Sequence, residues 1–156
     1  MLTRVTKVFY NVVQALSVLF MCGMVATVGY VVFARYIFKS APRWGEEIAL
    51  LCMVWFALLS ASLAIWDNRH IRVTIWEMVL PPKIMRILEL VVHLILFGII
   101  VLMLYYGIEL YQVVARGRMA GTGISYIYLY GAVPVSAVFM LLATLERLGE
   151  IYDHRS

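Results

Sequence analysis

The chain has 156 residues, 64% of them hydrophobic and 14% charged, with a mean hydropathy of +0.92. A soluble domain carries about a quarter charged residues; a water-soluble fold of this length has no interior for so much apolar surface, so the bilayer is the expected solvent. The net charge of +4 comes from 13 Lys and Arg scattered among short connections, with no basic stripe interleaved with aromatics, which points to topology charges beside lipid head groups and away from nucleic acid.

The first apolar run, Val8 to Ala34, is 27 residues without a charge, and Arg4 and Lys7 precede it. A secretory signal has an apolar core of only about 7–15 residues and a small-residue cleavage site. This run is longer and keeps Tyr30 and Phe33, so it reads as a retained span over residues 8–36. Cys22 here and Cys52 in the next run have no second thiol or histidine at metal-ligand spacing, and they read as small buried hydrophobes.

The second run, Ile48 to Trp66, is 19 uncharged residues, and its helix is expected over 44–66. Glu46 and Glu47 fall at its N-terminus, where the macrodipole favours negative charge. Beyond it, Ile71, Ile75 and Met78 recur at helical spacing among charged residues. That spacing suits a short amphipathic helix lying at the membrane surface between the second and third spans, or an ordinary polar connection.

The third run, Leu90 to Ile108, holds His93 as its only ionisable side chain of the acid–base type. Pro82 suits a helix first turn, and the helix is expected over 83–115, longer than a bilayer requires. The fourth, Met119 to Leu145, is again 27 residues without a charge. Its helix is expected over 123–147, bent by Pro134, whose ring removes a backbone hydrogen bond. Each run approaches or exceeds the ~20 residues that cross a hydrocarbon core. Because backbone polar groups must be satisfied internally at that depth, the expected fold is an all-α integral membrane protein of four transmembrane helices, one domain over 1–156. Lys and Arg number eight on the side of the termini and five on the other, so the positive-inside rule places both termini in the cytoplasm.

Intramembrane polar residues are functional candidates by default. Arg86, Glu89 and His93 share one face of the third helix, and Glu109, Gln112 and Arg116 repeat that spacing near its other end. Their placement toward opposite surfaces fits snorkelling and local ion pairing, with a coupling-ion site as the sharper alternative. On the second helix Trp44, Trp55 and Trp66 recur every 11 residues, about three turns, on nearly one face. Trp44 and Trp66 suit the two interfacial belts, and Trp55 suits a helix contact that pairs its N–H. Ala57, Ala61 and Ala64 permit close packing nearby. This face packs within the chain or docks a second membrane protein. Catalytic patterns are absent: His70, His93 and His154 are dispersed, Gly117, Gly121 and Gly123 lack a P-loop's lysine, and Ser125 and Ser136 have no nucleophile elbow. No cofactor is expected.

Arg35-Tyr36-Ile37-Phe38, Trp44-Gly45-Glu46-Glu47, Trp55-Phe56, His70-Ile71-Arg72-Val73, Thr122-Gly123-Ile124-Ser125 and Val133-Pro134-Val135-Ser136 resemble, in that order, the small membrane subunit of TRAP (tripartite ATP-independent periplasmic) transporters, the DctQ-like family. Departures fall at Leu59-Ser60-Ala61-Ser62, where glycine is frequent in the family, and at Thr74, where aspartate is frequent nearby. The resemblance implies a non-catalytic scaffold in the bacterial inner membrane. Its partners would be a large multi-span subunit carrying substrate and sodium, a periplasmic substrate-binding protein, and membrane lipids. The substrate would be an organic acid of the C4-dicarboxylate or sialic acid type. Arg35, Trp44, Glu46, Glu47, Trp55, Ala57, Ala61, Trp66, His70 and Pro134 are the candidates for contact with subunits or lipid. The competing classes are a self-sufficient homo-oligomeric transporter or channel, and a membrane-anchored enzyme or redox subunit.

Overall fold

The computed structural model describes residues 4–40, 42–67 and 82–153, with side chains described for 7–40, 42–67 and 91–146. Helix α1 runs Arg4–Ile37, α2 Arg43–Trp66, α3 Pro82–Val114, α4 Ile127–Tyr130 and α5 Ala132–Asp153. Four spans are long and apolar enough to cross a membrane, the fourth formed by α4 and α5 together. The surface helix expected between the second and third spans, and His70 within it, lie outside the described residues.

Local chemistry sets the helix ends. Helix α1 closes with the Phe38 N–H donating to the Ala34 carbonyl at 2.9 Å, and Lys39 then turns the chain in a left-handed conformation (φ 51°). Pro42, extended, precedes α2. The third connection is a tight turn instead of the first turn of a helix. Met119 and Ile124 are joined N–H to carbonyl at 2.8 Å, and Arg118 bridges Ser125. Gly123 takes φ +71°, a left-handed conformation that glycine adopts without penalty. Residues 123–126, expected as helix, are therefore irregular. The fourth span is also interrupted at Gly131, and Pro134 falls in the first turn of α5, where its missing N–H costs no intrahelical bond.

The helices form an open layer. Among the described residues α1 packs on α2, α2 on α5, and α5 on α3, and the backbone of α3 does not come close to that of α1 or α2. The edge order explains the burial: 39% of the fourth span's apolar stretch is enclosed, but only 11% of α1's. Small residues bring α1 and α2 together. A Cβ on Gly23 would touch the Cys52 Sγ at 3.4 Å, and one on Gly45 would run into Val31; Ala34 is buried beside them. Among the residues of α3 whose side chains are described, His93, Ile100 and Gly107 are the fully buried ones, at seven-residue intervals. There a Cβ on Gly107 would meet Val133 at 3.1 Å and Pro134 at 3.3 Å. Such close approach supplies the dispersion contacts that hold helices together in lipid. Ile65, Trp66, Ile100, Ala137, Met140 and Ala143 form the apolar core at the end where α2 finishes.

Candidate functional site

Functional groups collect at the two ends of the layer. At the end where α2 begins, the Glu47 carboxylate holds the third connection. One oxygen accepts the Gly121 N–H at 2.7 Å, and the other accepts the Thr122 N–H at 2.7 Å and the Thr122 hydroxyl at 2.8 Å. Gly121 is required for this dock: a Cβ would stand 2.8 Å from the Arg43 carbonyl carbon and the Trp44 nitrogen, and real Cβ atoms do not come so close to backbone. Arg35 at the end of α1 reaches Glu46 at 3.3 Å, with both side chains largely exposed (61% and 67%). Trp44 stacks on Tyr30, ring centres 5.5 Å apart.

The other two tryptophans turn inward. Trp55 donates its indole N–H to the Tyr128 carbonyl at 2.8 Å and stacks on Phe20 at 5.3 Å, so it ties α2 to both α1 and α4. Trp66 donates to the Glu146 carboxylate at 2.8 Å and meets the Tyr10 ring edge-on, while the Tyr10 hydroxyl reaches Asp67 at 3.0 Å. The tryptophan series is thus engaged with the chain's own helices. The outward stripe of α2 is formed instead by Glu46, Leu50, Met53 and Ala57. Ala61 is half-buried against the apolar core, and Pro134 packs beneath Gly107 of α3.

Sequence reasoning placed Glu47 at a helix N-terminus but did not connect it to Gly121 and Thr122, 74 and 75 residues away. The available signal was the run of Gly117, Gly121 and Gly123, which marks close backbone approach more readily than flexibility. The Trp66–Glu146 pair had no such signal. Among the described residues no three His, Cys, Asp or Glu side chains converge as metal ligands. The polar groups at both ends bind one element of the chain to another.

A family model described as the DctQ component of tripartite ATP-independent periplasmic transporters matches residues 24–153. The chain is similar to the sialic acid TRAP transporter small permease protein SiaQ of Vibrio cholerae, 26% identical over 151 residues, which cover 94% of this chain and 85% of SiaQ. It is also similar to the sialic acid TRAP transporter permease protein SiaT of Haemophilus influenzae, 28% identical over 115 residues. That stretch is 74% of this chain but only 19% of SiaT, so the chain spans about a fifth of that relative. With a family match over most of its length and four apolar helices to carry it, the chain belongs to the DctQ family, the small membrane permease subunits of TRAP transporters, which are transporter components and not enzymes.

Proposed function

We propose that the chain is the small subunit of a sodium-coupled TRAP uptake system for an organic acid of the sialic acid type, working as one membrane domain that braces a larger permease. The open order α1, α2, α5, α3 carries this reading. In this order the described helices do not surround a common interior for a substrate, and the paired broken helices of a transport site are not found among the described residues. The substrate class rests on the names of SiaQ and SiaT, and a C4-dicarboxylate is the alternative cargo. In this reading a periplasmic binding protein delivers the substrate and the layer lies in the inner membrane among its lipids. Eight Lys and Arg accompany the termini against five at the opposite end, which supports cytoplasmic termini and a periplasmic Glu47–Gly121 dock.

The test is co-expression with a large TRAP permease subunit. In mild detergent the two should co-purify, and proteoliposomes holding both, supplied with binding protein and a sodium gradient, should take up sialic acid. Liposomes holding this chain alone should take up none. Uptake by the chain alone, or a monodisperse chain that never recruits the permease, would overturn the reading.

A further inference from the structure

Glu109 stands on the free edge of the layer, and its depth follows from the packing of α3. Two residues before it, Gly107 rests on Val133 and Pro134. Pro134 precedes Glu146, the partner of Trp66, by twelve residues, so at ~1.5 Å per residue Gly107 lies about 18 Å from the Trp66 level. Ile100 agrees, since it packs in one cluster with Ile65 and Trp66. Trp44 and Trp66 are themselves about 33 Å apart along α2, close to the ~30 Å of a hydrocarbon core. Glu109 therefore sits about 21 Å from the Trp66 level and about 12 Å below Trp44. Sequence spacing placed it near the surface; the packing slides α3 along the layer and draws it inward.

This carboxylate faces out of the chain and has no ion pair or hydrogen bond among the described residues. Snorkelling does not relieve it. Helical side chains tilt toward the N-terminus, which on α3 is the Trp66 end, so the carboxylate leans toward mid-membrane and away from the nearer surface. The macrodipole also disfavours negative charge toward a helix C-terminus. Ionisable groups inside membranes face protein or a water-filled cavity and are paired. Tyr105 (67% exposed) and Gln112 continue the same outward stripe at helical spacing. A polar stripe at this depth is unsuited to lipid tails.

We propose that the Tyr105–Glu109–Gln112 stripe of α3 seats a transmembrane helix of the larger permease, and that this helix presents a lysine or arginine at the depth of Glu109. The inference rests on the partner named under Proposed function. Charge complementarity requires a cation. In SiaT the stretch similar to this chain belongs to a far longer polypeptide, so a large permease body accompanies it there. A second copy of this chain does not fit: a two-fold pairing of parallel helices through this stripe sets Glu109 against Glu109, and Arg116 lies about 10 Å further along.

The test uses the two-subunit complex in membranes, with a photo-crosslinking amino acid placed at Tyr105 or Gln112, or at Val25 on the opposite edge. Adducts with the mass of this chain plus the permease are expected from the first two positions and not from Val25. Glu109→Lys should lower recovery of the complex at least tenfold. Glu109→Leu should lower it less, while leaving the chain's own melting temperature unchanged or raised, which separates lost docking from lost folding. Adducts only with lipid or a second copy, or full recovery with Glu109→Lys, overturn this inference and leave the subunit assignment standing. A wild-type chain that recruits no permease overturns both.

Discussion

The Glu47 carboxylate and the Gly121 backbone N–H meet at 2.7 Å across 74 residues of sequence. With the two Thr122 bonds to the same carboxylate, this contact joins the start of α2 to the turn that introduces the fourth span. Replacing Glu47 with alanine, or adding a Cβ at Gly121, should therefore release the same turn. A cysteine at Ala120 should be labelled by a membrane-impermeant maleimide several-fold faster in Glu47→Ala and in Gly121→Ala than in the parent, and to similar extents. Glu47→Gln, which keeps one acceptor oxygen, should fall between. Unchanged labelling in both alanine variants would show that the dock does not hold the turn.

Trp55 combines a hydrogen bond with a stacking contact, and the two are separable. Trp55→Phe keeps a ring against Phe20 but loses the N–H to the Tyr128 carbonyl, which should cost about 0.5–1.5 kcal/mol. Trp55→Ala loses both, and truncating a large aromatic costs about 3–5 kcal/mol. Thermal or denaturant unfolding in a fixed detergent measures the difference. Equal losses would mean that the stacking contributes nothing.

At Gly45 α2 lies close against α1, and an added methyl would strike Val31. Because a valine side chain is stiff and Val31 is buried, Gly45→Ala should destabilise the hairpin by about 1–3 kcal/mol through overpacking. Val31→Ala in the same chain should restore much of that loss. If the double variant is no more stable than Gly45→Ala alone, the contact is not the cause.

The Arg35–Glu46 pair is well formed, but solvent reaches both partners (61% and 67% exposed). A double-mutant cycle with Arg35→Gln and Glu46→Gln should yield a coupling of at most about 1 kcal/mol, weakening as salt is added. A coupling that is large and indifferent to salt would mean the pair is more shielded than its exposure indicates.

Four spans were legible because length and apolarity are written directly into the chain, and Pro82 marked a helix start for the same reason. Their order in the layer was not. Helices α1 and α3 are apolar on nearly every side, as lipid permits, so no polar face reports which flank meets a neighbour. The Glu47 dock escaped because two of its three donors are backbone N–H groups, which have no side-chain signature. Trp55 was correctly marked as needing a partner, but that partner is the main-chain carbonyl of Tyr128 in α4, which has no side-chain signature. The depth proposed for Glu109 was not legible because α3 is 33 residues long, more than a bilayer needs, and composition does not say which part lies inside.

The order of the layer also differs from the order of synthesis. Helix α1 meets its neighbour α2 after a connection of a few residues, so this hairpin can close while the rest is still being made. Helix α3 emerges next with no close backbone approach to either among the described residues, and its attachment, through Gly107, waits for Val133 and Pro134. The last span made is thus the keystone of assembly. A chain truncated after Arg118 should insert a paired α1–α2 and an α3 free to diffuse away from it, which cysteine cross-linking within nascent chains would register.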